Sequence, residues 1–312
     1  MSLIKRPSEL EVKQTLTALI YGQPGAGKST LACSAPNPVM LDFDGGATRI
    51  NGAHQVPTVQ VRKWEDVGGA LEEIKEAAEF QSIIIDTVGK MMMFLEEYIK
   101  RTNAKMRNYD GSLTLKGYGL RKQMFLNFIK EVSVMGMNII FVGHEIEQKR
   151  GDDTIIRPEI GGSSTNDLMK ELDLVGYVET IGQSRTISFD PCDRYYAKNT
   201  CNMAGIIKLP ILTDKDGNAV GENKFLQQVI EAYKQRQRHN IELTSQYEQL
   251  CQLIRENAAE VSDADSANDY IEWVKSLAHL MNSKAVALTC LQSRVKELGL
   301  IYNKKNSRYE RA

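Results

Sequence analysis

The sequence predicts an α/β protein whose mostly parallel sheet is flanked by helices and followed by a helical C-terminal segment. Up to about residue 220, short apolar runs alternate with amphipathic helical patterns, which is typical of a sheet covered on both faces. A glycine-rich turn after the first apolar run opens a helix at Lys28. From Glu222 the strand signals stop and long helical patterns begin. We therefore predict an α/β domain at residues 1–220 and a helical domain at residues 221–312.

The predicted strands are short apolar runs bounded by turn residues. The run at 82–86 is the clearest, because it is apolar until it ends in a carboxylate, as expected of a strand buried on both faces. A hairpin is predicted where two runs flank the turn at residues 182–184. In chain order the predicted strands are residues 16–21, 38–43, 58–61, 82–86, 138–142, 173–181 and 185–190.

The predicted helices carry apolar residues three or four positions apart. Val67, Leu71 and Ile74 show this spacing in the first long helix. N-cap candidates such as Asp263 precede the middle C-terminal helix, and Gly299 ends the last one. The predicted helices begin at Lys28 and then cover residues 64–80, 91–102, 118–135, 225–259, 267–281 and 284–298.

Composition and charge indicate which partners and which cellular location to expect. The 312 residues include 39 basic and 40 acidic side chains, so a nucleic-acid surface would have to be local. The five cysteines form no C-x-x-C pair, which favours reduced thiols in a cytoplasmic protein over a zinc site or a disulfide framework. No signal-peptide pattern and no apolar run of about 18 residues is present, so we expect no membrane partner.

The turn after the first predicted strand matches the phosphate-binding pattern G-x-x-x-x-G-K-[ST]. Its glycines allow successive backbone N–H groups to point at a phosphate, and the following helix directs its N-terminal dipole at the same charge. The lysine reaches the β- and γ-phosphates, and the serine hydroxyl is a ligand for Mg²⁺. ATP with Mg²⁺ is therefore the expected cofactor. The residues expected to bind it are Gly22, Gln23, Pro24, Gly25, Ala26, Gly27, Lys28, Ser29 and Thr30.

Carboxylates at the ends of two other predicted strands complete the chemistry of such a site. Asp86 is the candidate partner of Ser29 in holding Mg²⁺. Asp42 and Asp44 lie on one side of the second strand, and either could orient the attacking water while the other caps the turn that follows. We favour Asp44, because it lies further toward the strand's C-terminal edge. His144 ends the strand at 138–142 and is a candidate sensor of the γ-phosphate or a solvated loop residue.

These motifs resemble those of RecA-like P-loop ATPases of the phage nucleotide-binding group that includes Sak-type single-strand annealing recombinases. Beside the phosphate loop, the resemblance rests on the segments LDFDGG, IIIDT, LKGYGLRKQM, NIIFVGHE, DLVGYV and YYAKN, between about residues 15 and 210. It implies that Asp44 is the catalytic carboxylate and that His144 couples the nucleotide to a DNA-binding loop. It also implies a ring or filament with ATP at subunit interfaces. Lys198 then either reaches a neighbouring subunit's phosphates or merely ends a strand.

A basic segment with interleaved tyrosines is the candidate DNA surface. Cations that follow phosphates and aromatic rings that stack on bases are what single-strand binding uses, although a solvated surface loop has the same composition. A second candidate is the predicted loop at 145–164, which contains Lys149, Arg150 and Arg157 before Gly161 and Gly162. The main candidates for DNA contact are Lys105, Arg107, Lys116, Tyr118 and Arg121.

The sequence as a whole predicts a DNA-dependent ATPase of phage-type recombination that binds single strands and promotes annealing or pairing as a homo-oligomer. A regulator or assembly factor switched by nucleotide, without DNA contact, is the main alternative. A helicase-like motor is disfavoured because no arginine finger is evident, and a small-molecule kinase because no arginine-rich lid is visible. The C-terminal helices and the basic last ten residues carry no assigned role, with a solvated terminus preferred over a DNA-contacting tail.

Overall fold

The computed structural model describes residues 3–11, 13–151, 153–161, 164–182, 184–214 and 216–311. The described residues form two compact units. Lys13–Lys234 make up the larger unit, and the residues within Met1–Val12 and Gln235–Ala312 make up the smaller one. Each unit has its own hydrophobic core, described below.

The larger unit contains a ten-stranded sheet in its described part. Six neighbouring strands are parallel in the order β7-β1-β5-β4-β2-β3, and antiparallel strands extend or flank them. One strand, β5, therefore lies between β1 and β4. The strands are β1 Thr17–Gly22, β2 Pro38–Asp42, β3 Thr58–Gln60, β4 Ser82–Asp86, β5 Asn138–Arg150, β6 Asp153–Pro158, β7 Leu174–Ile181, β8 Ser184–Ser188, β9 Lys198–Asn199 and β10 Ile206–Lys208.

Helices cover both faces of this sheet, because successive strand residues point to opposite sides. Leu19 and Tyr21 contribute to the core that also contains apolar residues of α2, α3 and α4. Ala18 and Ile20 contribute to the opposite core, which contains residues of α1 and of the start of α6. The helices of this unit are α1 Lys28–Ala32, α2 Glu65–Ala77, α3 Val88–Thr102, α4 Leu115–Val134 and α5 Ser164–Glu171, with α6 beginning at Phe225. This arrangement confirms the predicted α/β class.

The smaller unit consists of helices and a terminal hairpin. Its core contains Ala258, Ala267, Leu291 and Val295, which come from three helices. Asp263 caps the second of these helices in a capping box with Ser266, as its N-cap position predicts. The elements are α6 Phe225–Glu260, α7 Ala264–Ser276, α8 Ser283–Glu297, β11 Leu300–Asn303 and β12 Arg308–Arg311.

The structure differs from the predictions in two polar segments. The predicted loop at 145–164 is wrong, because β5 continues to Arg150 and pairs antiparallel with β6. The C-terminal residues form the β11–β12 hairpin instead of a solvated tail. The outer half of β5 and the strand β12 carry too many charged residues to show an apolar strand pattern, and β11 has only four residues. The side chain of Arg150, and Gly162 and Gln183 in the predicted loops, lie outside the described residues.

Among the described residues, no helix is both long enough and apolar enough to cross a bilayer.

Candidate nucleotide-binding site

The phosphate loop connects β1 directly to α1. Gly22 ends β1, and Gly27 is the N-cap of α1, so the loop spans the residues between a buried strand and a helix N-terminus. Gly27 has a φ of 82°, in the left-handed region that only glycine adopts readily. A side chain at this position would strain the backbone at the start of α1 and change the direction of its N–H groups.

Lys28 is buried inside this loop. Its side chain is only 4% exposed, and Nζ donates a hydrogen bond of 2.7 Å to the carbonyl of Gln23. Burial lowers the pKa of Lys28, and the carboxylates of Asp86 and Glu145 oppose this shift. A buried ammonium with one neutral acceptor is well suited to bind a polyanion, because added phosphate oxygens would offset its lost hydration.

Asp86 lies beside the phosphate loop although it comes from a different strand. The strand β4 pairs with β5, and β5 pairs with β1, so the carboxyl ends of β1 and β4 meet at one sheet edge. Asp86 is 3% exposed, and it lines the same cleft as Ser29. Burial raises the pKa of Asp86, the Ser29 hydroxyl opposes this, and the charges of Asp42 and Asp44 add to the rise.

The two aspartates after β2 have different surroundings. Asp42 is 2% exposed, and its carboxylate accepts hydrogen bonds from the backbone N–H groups of Asp44, Gly46 and Ala47 at 3.2, 3.1 and 3.0 Å. Asp42 therefore caps the turn. Asp44 lines the cleft with the phosphate loop. Its backbone N–H, like that of Phe43, donates to the carbonyl of Asp86, which ties this turn to β4.

These groups line one cleft of about 320 Å³. Its oxygen donors are of the kind that Mg²⁺ prefers, with the Ser29 hydroxyl and the Asp86 carboxylate side by side. No cluster of three or more His, Cys, Asp or Glu side chains is placed to hold a metal anywhere in the described residues. A Mg²⁺ ion held here would therefore also take oxygen ligands from phosphates and water. The lining residues are Pro24, Gly25, Gly27, Lys28, Ser29, Thr30, Asp44, Gly46, Arg49, Ile50, Asp86, Thr87, Val142 and His144.

His144 lies on the boundary between this cleft and a neighbouring cavity of about 430 Å³. Its buried Nδ1 has no hydrogen-bond partner among the described residues. Thr87 also lines both spaces, and Glu96 and Arg121 line the neighbouring cavity alone. A histidine in this position can contact a group in the phosphate cleft and a group in the neighbouring cavity.

Two arginines near the phosphate loop were not predicted from the sequence. Arg49 lines the cleft on the short turn after Asp44. Arg185, at the start of β8, places Nη1 only 2.3 Å from where a Cβ on Gly27 would lie. Its guanidinium group therefore packs on the phosphate loop of the same chain. Neither residue belongs to a recognisable motif, so only the folded arrangement reveals them.

Lys198 makes intramolecular contacts. Its Nζ donates to the carbonyls of Met169 and Lys170 at 3.0 and 3.5 Å, and so caps the C-terminal end of α5. This geometry favours the structural alternative over a reach to a neighbouring subunit.

The basic segment at residues 101–122, which includes the first turns of α4, contains both exposed and buried candidates for DNA contact. Lys105, Arg107, Lys116 and Tyr118 are exposed, as expected for a surface that contacts DNA. Arg121 is 6% exposed, pairs with Glu96 at 2.9 Å and lies 4.9 Å from the centroid of the Tyr118 ring. The prediction that Arg121 contacts DNA directly is therefore corrected, because its charge is neutralised inside the unit. The sequence does not show this ion pair, because it joins α4 to α3.

A parallel sheet with a phosphate loop after β1 and a carboxylate at the end of β4 defines a P-loop nucleoside-triphosphate-binding protein. Comparison with protein families agrees with this class: the model of the AAA domain matches residues 14–201. The chain thus belongs to the AAA domain family, which is of the P-loop ATPase type. A comparison with curated proteins found no match.

Proposed function

We propose that this protein is a Mg²⁺-dependent ATPase of phage-type DNA recombination, which binds single-stranded DNA and promotes annealing or strand pairing as a homo-oligomer. The observation that carries the ATPase part is the convergence of Lys28, Ser29, Asp44 and Asp86 on one cleft.

The hydrolysis step assigns one task to each of these side chains. Lys28 stabilises the negative charge of the β- and γ-phosphates, and the N–H groups at the start of α1 do the same. Ser29 and Asp86 would hold Mg²⁺, which would supply further neutralisation of the phosphate charge. Asp44 orients a water and accepts its proton as the water oxygen attacks the γ-phosphorus. The bond from that phosphorus to the bridging oxygen breaks, which yields ADP and inorganic phosphate.

Support for DNA binding comes from the exposed cations and tyrosines of the basic segment at residues 101–122, which includes the first turns of α4. Lys105, Arg107 and Lys116 can follow a phosphate backbone, and Tyr109 and Tyr118 are exposed aromatic rings able to stack on bases. Arg121 joins this segment to the cavity that His144 lines, so nucleotide state can be coupled to the segment through contiguous contacts.

The experiment that tests the DNA part compares two double variants. Lys105→Ala with Lys116→Ala should weaken single-strand binding. The salt slope, which is the steepness with which the logarithm of the binding constant falls with the logarithm of the salt concentration, should decrease by about 1.4, because each phosphate contact with a single strand contributes about 0.7. Lys75→Ala with Lys130→Ala, which removes two exposed lysines of α2 and α4, is the matched control.

ATP turnover measured with and without single-stranded DNA separates the candidate functions. Stimulation that the Lys105 and Lys116 variant loses supports the proposal. If DNA does not change ATP turnover and the salt slope of the variant equals that of the wild type, the function is instead that of a nucleotide-switched regulator.

A further inference from the structure

The charges of the smaller unit are strongly segregated along the chain. Residues 235–282 contain four basic and eight acidic side chains. Residues 283–311, which form α8 and the β11–β12 hairpin, contain seven basic and two acidic ones. Both acids have local partners: Glu297 pairs with Arg294 at 3.0 Å, and Glu310 accepts hydrogen bonds from Asn303 and Asn306 at 2.9 and 3.0 Å. The basic residues are Lys284, Arg294, Lys296, Lys304, Lys305, Arg308 and Arg311.

One face of α8 is uncovered in its unit, and it is mostly polar apart from Ala285 and Leu288, which is 56% exposed. Ala287, Leu291 and Val295 are buried at helical spacing and fix this helix to the core of its unit. The opposite face exposes Thr289, Gln292 and Ser293 together with Lys284 and Lys296. Hydroxyl and amide groups can form hydrogen bonds to base edges, and lysines beside them can contact phosphates.

The turn and the hairpin hold α8 in a defined position. Between α7 and α8, the Ser283 hydroxyl lies 3.0 Å from Nδ1 of His279 and accepts a 3.1 Å hydrogen bond from the Leu280 backbone. The hairpin is attached to α7 because Asn268 exchanges two hydrogen bonds, of 2.9 and 3.1 Å, with the backbone of Tyr309. A rigid helix beside a rigid basic hairpin is a preorganised surface.

We propose that α8 and the β11–β12 hairpin form a binding site for double-stranded DNA, with α8 in the major groove and the hairpin on the adjacent backbone. Three helices followed by a two-stranded hairpin are the arrangement of a helix-turn-helix module with a β-wing. The major groove admits a helix of this kind, and the segregated positive charge is complementary to phosphates.

The aromatic residues favour a duplex over a single strand. Single-strand sites present free rings on which bases stack. Here the described part of α8 has no aromatic side chain, and in the hairpin Tyr302, which is 45% exposed, packs edge-on against the Tyr309 ring with centroids 5.1 Å apart. This site thus differs in its aromatic content from the basic segment at residues 101–122. It does not depend on the ATPase proposal.

The test measures binding of the full chain to a fluorescent duplex, and to one of its strands, over a range of salt concentrations. Lys304→Ala with Lys305→Ala alters the hairpin, and Lys284→Glu with Lys296→Glu alters α8. Arg255→Ala with Lys275→Ala removes two exposed cations of the same unit from α6 and α7 and is the control. Thermal unfolding of each variant verifies that it folds. Lys28→Ala verifies that duplex binding is independent of the nucleotide.

The expected result is weaker duplex binding for both altered pairs, with the salt slope reduced by about 1.8 for the hairpin pair, since each phosphate contact with a duplex contributes about 0.9. The control and Lys28→Ala should bind the duplex like the wild type. Three results would overturn the proposal: no duplex binding by the wild type, equal losses in the control, or losses confined to the single strand.

Discussion

The hydroxyl of Ser29 and the carboxylate of Asp86 face the same cleft, where the first turn of α1 lies beside the end of β4. The two side chains that the sequence predicts as Mg²⁺ ligands thus line one cleft. They meet because β5 alone separates β1 from β4 in the sheet. The strand β5 also brings His144 to this cleft, so the strand order places all three side chains at one site.

Substitution of Asp44 should affect catalysis, whereas substitution of Asp42 should affect stability. Asp44→Asn should lower ATP turnover by about 10²- to 10⁴-fold, the usual contribution of a general base, with little change in nucleotide affinity. Asp42→Asn should instead lower the free energy of unfolding by about 2 kcal/mol, because it weakens charge-assisted hydrogen bonds to three backbone N–H groups. Steady-state kinetics and denaturant unfolding measure the two effects. The assignment fails if Asp42→Asn abolishes turnover in a stable protein while Asp44→Asn does not.

Asp86 should make both stability and Mg²⁺ binding depend on pH. Burial raises the pKa of Asp86 in the folded protein, so the ionised group destabilises the fold above that pKa. This penalty decreases as pH falls through the raised pKa toward the ordinary aspartate value. Asp86→Asn should therefore stabilise the protein without nucleotide at neutral pH, and the gain should vanish in acid. The same variant should lose Mg²⁺-dependent nucleotide binding. Melting curves from neutral to acidic pH measure the first effect, and a pH-independent difference would contradict it.

Arg185 should contribute to nucleotide affinity from within the same chain. Its guanidinium group packs on Gly27 of the phosphate loop. A hydrogen bond to a charged partner is worth at least about 1.5 kcal/mol, so Arg185→Ala should weaken ATP binding about tenfold or more. Arg194→Ala, which removes an exposed arginine paired with Glu179, is the control. Titration with a fluorescent nucleotide gives both affinities, and equal values would exclude Arg185 from the site.

Lys198 should matter for folding and not for catalysis. Lys198→Met removes the hydrogen bonds to the carbonyls of Met169 and Lys170 and should cost about 1 kcal/mol of stability. Turnover of the folded protein should not change at any protein concentration. Loss of turnover with unchanged stability would instead indicate that this lysine acts on a neighbouring subunit.

Local motifs explain which parts of the site could be predicted. The phosphate loop is contiguous in sequence, and Asp86 ends an apolar run, so both follow from short-range patterns. Arg185 and Arg49 could not be found in this way, because strand order and a turn bring them to the cleft. Arg121 was misassigned for a related reason, since its ion pair with Glu96 depends on how α3 and α4 pack. The β11–β12 hairpin was missed because β11 has only four residues and β12 is mostly charged.

Binding of ATP by the wild type and by Lys28→Ala, each with and without Mg²⁺, tests the central claim most directly. The claim is that a buried ammonium, a ring of backbone N–H groups and the Ser29–Asp86 pair hold a Mg²⁺-bound triphosphate. Isothermal titration calorimetry should show binding by the wild type that strengthens with Mg²⁺ and is lost in Lys28→Ala. Wild-type protein that binds no ATP with Mg²⁺, or a Lys28→Ala variant that binds as tightly as the wild type, would contradict it.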